Sequence, residues 1–183
     1  MKHFLTPFLA ILIFLGCRPS QTSDNRQVDS ENDIGELIST IEFQVEASEE
    51  DKKIFEDGII PWISLNTPER EVDKLIMPDE IVIPYSEITL IIDYPLSNPA
   101  TFKMSATGKG FTRKQLIMEV SKKYHEIYEE EESSATIKTT PMEERQGLIN
   151  RNQTDGKYGI WGHDLSDLDL STIEVYKNKE NII

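Results

Sequence analysis

The residues of this chain best suited to chemistry lie together in one stretch, YGIWGHDLSDLDL, from Tyr158 to Leu170. Trp161 could stack on a ligand, while His163, Asp164 and Asp167 carry groups that ligate metals or move protons. An imidazole is the group best placed to change charge near neutral pH, and the adjacent acid could ligate or orient. One interpretation of the stretch is therefore a binding or catalytic site centred on His163 and Asp164.

The same stretch also fits a purely structural corner. Three glycines, Gly156, Gly159 and Gly162, would let the backbone bend or approach another group closely. Asp167 and Asp169 alternate with leucines, which on a strand places polar side chains outward and apolar ones inward. His163 would then satisfy a hydrogen bond near the end of a sheet. Both interpretations remain open at the level of sequence.

Other motifs in the chain fall short of known catalytic patterns. HEIYE, at 125–129, lacks the second histidine of H-E-x-x-H, and GKGFTR, at 108–113, lacks the Walker sequence. We therefore expect no cofactor and assign no metal ligand or catalytic residue. The leading hypothesis is a non-enzymatic binding or interaction module that uses Trp161, His163, Asp164 and Asp167. The alternative is a small hydrolase or a metal-dependent enzyme centred on His163 and Asp164.

One helix stands out among the elements that must position these residues. Thr112 and Gln115 have the spacing of a capping box, which satisfies two backbone N–H groups at a helix start. Apolar residues then recur on one face through Tyr128. Acidic side chains oppose the helix dipole at a C-terminus, so the run Glu129–Glu132 predicts that this end of the helix frays.

The strand pattern completes an α+β prediction. The run 88–94 is almost continuously apolar and β-branched, which predicts a strand covered on both faces. Residues 133–157 lack sustained periodicity and are predicted to form a flexible connection. We expect one domain, 34–183, with a small antiparallel or mixed sheet and one principal amphipathic helix packed on it.

The N-terminus has the features of an export signal. MKHFLTPFLAILIFLGC combines a positive start with an apolar run too short to span a bilayer. Its end, Phe14 to Cys17, resembles the lipobox of bacterial lipoproteins, although Phe14 replaces the usual leucine. The resemblance implies a signal peptide at 1–16 and a diacylglyceryl group on Cys17. The polar residues 17–33 are then predicted to be a flexible tether.

Charge narrows the range of partners. The chain has 19 Lys and Arg against 33 Asp and Glu, a formal net charge of −14. Binding to a polyanion depends on basic side chains that neutralise phosphates, so a nucleic-acid partner is not expected. The expected partners are a membrane, reached through lipidated Cys17, and an unidentified protein, peptide or glycan. The expected location is the bacterial cell envelope, facing the periplasm or the cell surface.

Several body segments also resemble a group of bacterial proteins with no assigned activity. The resemblance is carried by IPYSEITLIIDYPL, GFTRKQL, IYEEEE and DGKYGIWGHDLSDLDL, across roughly residues 80–177. It implies a single coherent domain and transfers no catalytic role to any residue.

Overall fold

A computed structural model describes residues 34–147, 150–179 and 183 of the 183-residue chain. The predicted signal peptide 1–16 and the tether 17–33 with Cys17 lie outside these residues. The predicted α+β class is confirmed, with one long helix and several small antiparallel two-stranded sheets in the described part. Its strands are β1 (Glu36–Glu42), β2 (Val45–Glu46), β3 (Ile59–Ile60), β4 (Ile63–Ser64), β5 (Ile81–Ile83), β6 (Glu87–Ile92), β7 (Ala100–Ser105), β8 (Phe111–Thr112), β9 (Asp169–Leu170) and β10 (Thr172–Lys177).

The strands pair in a pattern that the sequence did not indicate. The hydrogen-bonded pairs are β1 with β10, β2 with β3, β4 with β9, β5 with β8 and β6 with β7. All five pairs are antiparallel, and a register shift interrupts β1 between Leu37 and Ser39. Pairing of β1 with β10 joins the two ends of the described chain. The expected single sheet is therefore divided into two-stranded units that share one apolar core.

The helix α1 (Arg113–Ser134) begins as predicted. The Gln115 N–H donates to the Thr112 hydroxyl, and the Thr112 N–H donates to the Gln115 side chain, each over 3.2 Å. This confirms the capping box. The buried face of the helix is also the predicted one, with Leu116, Ile117, Val120, Tyr124 and Ile127 in the core.

The prediction that the apolar run 88–94 is covered on both faces was wrong. In β6, Ile88, Leu90 and Ile92 are buried, whereas Ile91 is 39% exposed. The strand therefore alternates between a buried and an open face. Its buried residues belong to the same core as the buried face of α1, and Ile91 lies on the opposite, open face.

The predicted strand at the end of the chemistry-rich stretch starts later than its alternation indicated. Leu165–Asp167 forms a turn of 3-10 helix, and the strand β9 begins at Asp169. Asp164 precedes this turn, and the Asp164 N–H donates to the Asp167 carboxylate over 3.1 Å. The polar residues before Leu168 thus follow the geometry of a capped turn rather than that of a strand.

Candidate functional site

The chemistry-rich stretch is held by a carboxylate from the end of α1. Glu131 is fully buried, and its two oxygens accept hydrogen bonds from a curved run of backbone N–H groups. The donors are the N–H groups of Gly156 (2.9 Å), Tyr158 (2.8 Å), Gly159 (3.1 Å) and Ile160 (3.4 Å), together with the Thr154 hydroxyl (2.5 Å). Buried backbone donors need partners, and here one side chain supplies them all.

This arrangement overturns the expectation that the glutamate run frays the helix. Helix α1 continues to Ser134, and Glu131 faces inward rather than toward solvent. Burial by itself would raise the pKa of Glu131, but the hydrogen bonds from Thr154, Tyr158, Gly156 and Gly159 outweigh it and hold the pKa below its ordinary value. The unfavourable interaction of the Glu131 charge with the helix dipole is offset by these hydrogen bonds, which also order the segment 154–160.

Gly156 is required by the close approach of this segment to the helix. A Cβ atom built on Gly156 would lie 2.7 Å from both the carbonyl oxygen and the carboxylate of Glu131. The close backbone approach predicted for these glycines is thus confirmed at Gly156. Near it, Asp155 accepts hydrogen bonds from the backbone N–H groups of Thr136 (2.8 Å) and Ile137 (2.6 Å). The flexibility of 133–157 stays a prediction.

Three aromatic side chains, Tyr94, Trp161 and His163, form a cluster that we call the aromatic patch. The rings of Tyr94 and Trp161 meet edge to face with centroids 5.3 Å apart, and the His163 ring lies 5.5 Å from Tyr94. The Tyr94 hydroxyl and His163 Nε2 are hydrogen-bonded at 2.7 Å. Tyr94 is 45% and Trp161 is 39% exposed, so part of each residue is open to solvent.

Two tyrosines of α1, the buried Tyr124 and the half-buried Tyr128, hold the backbone of the aromatic patch. The Tyr124 hydroxyl donates to the Tyr94 carbonyl, and the Tyr128 hydroxyl donates to the His163 carbonyl, each over 2.9 Å. Burial raises the pKa of Tyr124 to about 12 and also raises that of Tyr128. Both phenols therefore remain protonated donors. The helix thus fixes the backbone of the aromatic patch at Tyr94 and at His163.

Two arginines hold the Asp164 carboxylate. Arg145 donates two hydrogen bonds to it, of 2.6 Å to Oδ2 and 3.0 Å to Oδ1, and Arg151 Nη1 lies 3.6 Å from the same Oδ1. The hydrogen bonds from Arg145 hold the pKa of Asp164 below its ordinary value. Among the described residues, the Asp164 carboxylate is bonded to Arg145 and the His163 ring to the Tyr94 hydroxyl, so Asp164 does not orient the ring.

Arg151 is less well satisfied than its partners. Its side chain is 6% exposed, and its guanidinium lies over the Tyr128 ring at 5.2 Å. Its Nη1 atom contacts Asp164, whereas its Nε and Nη2 atoms are buried without a hydrogen-bond partner. Unpaired buried donors are costly. The desolvation of the Arg151 guanidinium therefore offsets much of the stability gained from its attraction to Asp164.

The structure brings together some of the predicted site residues and separates others. Trp161 and His163 meet in the aromatic patch, whereas Asp164 and Asp167 cap the 3-10 turn beside it. His125 is exposed elsewhere on α1, with its Nε2 3.0 Å from the Asn66 carbonyl. In the described part of the chain, no group of three or more His, Cys, Asp or Glu side chains could hold a metal ion.

Tyr94 and Glu131 were not predicted from the sequence as site residues, although they contribute most to the site outside the stretch 158–170. Tyr94 lies 69 residues before His163, and Glu131 lies inside an acidic run that predicts solvent exposure. The run Tyr94-Pro95, directly after an apolar strand, was the only local signal of a turn that could present a ring. Glu131 carried no signal of its own, because four adjacent glutamates look alike in a sequence.

The arrangement can recognise a ligand by stacking and hydrogen bonding. Aromatic faces contact apolar or sugar surfaces, while the Tyr94 hydroxyl and the His163 ring offer polar groups at the same place.

Among residues 34–147, 150–179 and 183, no helix combines the length and apolarity that a membrane crossing needs. No model of a known protein family, no curated protein and no solved structure matches this chain.

Proposed function

We propose that this chain is a membrane-anchored lipoprotein of the bacterial envelope whose folded domain is a non-enzymatic binding module. The domain would bind a protein, peptide or glycan through the aromatic patch. The observation that carries the proposal is the exposure of Tyr94 and Trp161 on a backbone fixed from beneath by Tyr124 and Tyr128. Rigid aromatic side chains supply contact area at low entropic cost, which makes such clusters effective binding surfaces.

A second exposed tryptophan offers a comparison within the molecule. Trp62 is also 39% exposed, and its ring meets Phe55 edge to face at 5.5 Å. In this pair the aromatic partner is apolar. Trp161, by contrast, lies 6.3 Å from an imidazole that is itself bonded to a tyrosine hydroxyl. A polar partner beside an exposed ring favours Trp161 as the recognition residue and makes Trp62 its matched control.

The proposed anchor depends on Cys17. A diacylglyceryl group on this residue would hold the protein at a membrane, because two acyl chains bind far more firmly than one. In cells supplied with labelled palmitate, the wild type and a Ser20→Ala control should carry the label, and Cys17→Ala should not. Equal labelling of wild type and Cys17→Ala would contradict the anchor without touching the binding proposal.

The binding proposal is tested by photo-crosslinking in intact cells. A photoreactive phenylalanine analogue is placed at position 161 in one variant and at position 62 in the other. Position 161 should yield a discrete crosslinked species of higher mass, and position 62 should not. The same species from both positions, or none from position 161 in a folded variant, would overturn the aromatic patch as the binding surface.

A further inference from the structure

A cavity separates two strand pairs that share the core, β6 with β7 and β1 with β10. It has a volume of about 520 Å³ and lies between β6 of one pair and β10 of the other. Consecutive residues of both strands line it, Ile88 through Asp93 and Thr172 through Tyr176. Since alternate residues of a strand face opposite sides, a cavity that touches every residue must run along the strand edge. We call this cavity the edge slot.

The backbone of β6 directs hydrogen-bonding groups into the edge slot. The Ala106 N–H donates to the Ser86 carbonyl over 2.8 Å, so this pair and every second pair after it exchange hydrogen bonds between β6 and β7. The alternate residues, Thr89 and Ile91, therefore point their N–H and C=O groups away from β7. Within the described residues, no other strand pairs with that edge of β6.

The same reasoning applies to β10 on the opposite side. The Phe43 N–H donates to the Ser171 carbonyl over 2.8 Å, which places the intervening residues Thr172 and Glu174 with their backbone groups away from β1. One end of this edge already accepts a partner. Tyr176 and Ile183 exchange two backbone hydrogen bonds of 2.6 and 2.8 Å. The edge of β10 is thus competent for strand pairing, and Thr172 and Glu174 continue it along the slot.

The floor and the charge of the edge slot define the segment that would fit. Leu116, Val120 and Tyr124 of α1 line it, as do the buried Ile88 and Leu90. Its charged lining residues, Asp93 and Glu174, are both acidic. An acyl chain would satisfy the floor but leave the backbone groups of both edges without partners. An extended peptide would satisfy both.

From these observations we propose that the edge slot accepts one extended strand of a partner protein, inserted between β6 and β10. Apolar side chains at every second position of that strand would face Leu116 and Val120. Basic or neutral side chains would alternate with them and face Glu174. The inference shares with the proposed function only the premise that the domain is a binding module. It stands on residues outside the aromatic patch, so its failure would leave that patch untouched.

The probe is a synthetic nonapeptide with capped ends in which valine or isoleucine alternates with lysine or threonine. Binding to the full chain, purified in detergent, is followed by fluorescence polarisation. Two control peptides accompany it, one with proline at the central apolar position and one with glutamate for each lysine. Saturable binding of the basic alternating peptide, with at least about tenfold weaker binding of both controls, is expected from lost backbone pairing and reversed charge.

A matched pair of prolines tests the backbone contacts. Ile91 and Thr101 lie directly opposite each other in the β6–β7 ladder, and neither N–H belongs to that ladder. Ile91→Pro removes a donor that faces the slot, whereas Thr101→Pro removes one on the far edge of β7. We expect Ile91→Pro to weaken peptide binding by about tenfold or more and Thr101→Pro to leave it within about twofold.

Hydrogen exchange on the wild type provides a test that requires no variant to fold. The peptide should slow exchange at Thr89, Ile91, Thr172 and Glu174 and leave Thr101 unchanged. The proposal is overturned if the alternating peptide does not bind saturably, if both prolines weaken binding equally, or if these four amides are unaffected by bound peptide. Saturable binding of palmitate in the absence of any peptide binding would instead assign the slot to an acyl chain and would also overturn the proposal.

Discussion

Two buried charged centres flank the chemistry-rich stretch, and they are satisfied to different degrees. Each Glu131 oxygen accepts several hydrogen bonds, and all the donors come from the segment 154–160. In the second centre, Arg145 and Arg151 share Asp164, and two nitrogens of Arg151 have no hydrogen-bond partner. A fully satisfied charge specifies structure, whereas a partly satisfied one contributes little net stability. The contrast indicates that Glu131 determines the fold of the stretch.

Removal of Glu131 should have the largest effect on stability. Glu131→Ala removes the acceptor of four backbone N–H groups, while the Thr154 hydroxyl keeps only its 3.3 Å bond to the Ile160 carbonyl, so we expect a loss of roughly 3–5 kcal/mol. Urea denaturation measures this loss. Glu129→Ala, at an exposed position two residues earlier, is the control and should change stability by less than about 0.5 kcal/mol. Similar losses from both variants would contradict the role of Glu131.

The pH dependence of stability should report the same centre. The pKa of Glu131 is lower in the folded chain than its ordinary value of 4.5, so above that value its contribution is fully present. As pH falls through 4.5 toward the folded pKa, the unfolded chain takes up the proton first and stability declines. Asp164 acts with the same sign, and Asp169, whose pKa burial raises, acts with the opposite sign. Urea titrations at several pH values should show a shallower acid slope for Glu131→Gln than for wild type.

Glycine substitutions should distinguish a close approach from a backbone preference. Gly156→Ala places a methyl group against Glu131, and we expect a loss of about 2–3 kcal/mol from overpacking. Gly162 has a φ of +74° but open space around it, so Gly162→Ala should cost only about 1 kcal/mol. Thermal unfolding of both variants checks the order. A larger loss at Gly162 would mean that segment 154–160 does not press against the helix.

Substitution of Arg151 should have the smallest effect. Arg151→Met removes a buried guanidinium whose Nε and Nη2 lack partners, while Asp164 keeps its two hydrogen bonds to Arg145. We expect a change of at most about 1 kcal/mol in either direction. A loss above about 3 kcal/mol in urea denaturation would place Arg151 beside Glu131 as a structural determinant and would remove the contrast between the two centres.

The parts of this molecule that could be predicted from sequence are those set by local signals. Thr112 and Gln115 lie three residues apart, and the buried face of α1 follows from the helical period, so the capping box and the buried face could both be predicted. The pairing of β1 with β10 and the contact of Tyr94 with His163 depend on closures across long stretches of chain. Glu131 differs from the neighbouring glutamates only in its position on the helix surface, on the side that faces segment 154–160. Such features depend on tertiary geometry, which local residue patterns do not encode.

We propose that Trp161 contacts a partner, whereas the polar groups that hold the segment around it have a structural role. The most direct test compares Trp161→Ala with its matched control Trp62→Ala after formaldehyde crosslinking of intact cells, with Tm measured on the purified variants. We expect Trp161→Ala to lose the crosslinked species while its Tm stays within a few degrees of the wild type, at about 2–4 °C per kcal/mol for a domain of this size. Trp62→Ala should keep the species. Retention of the species in Trp161→Ala, or its loss in both variants at unchanged Tm, would contradict the account.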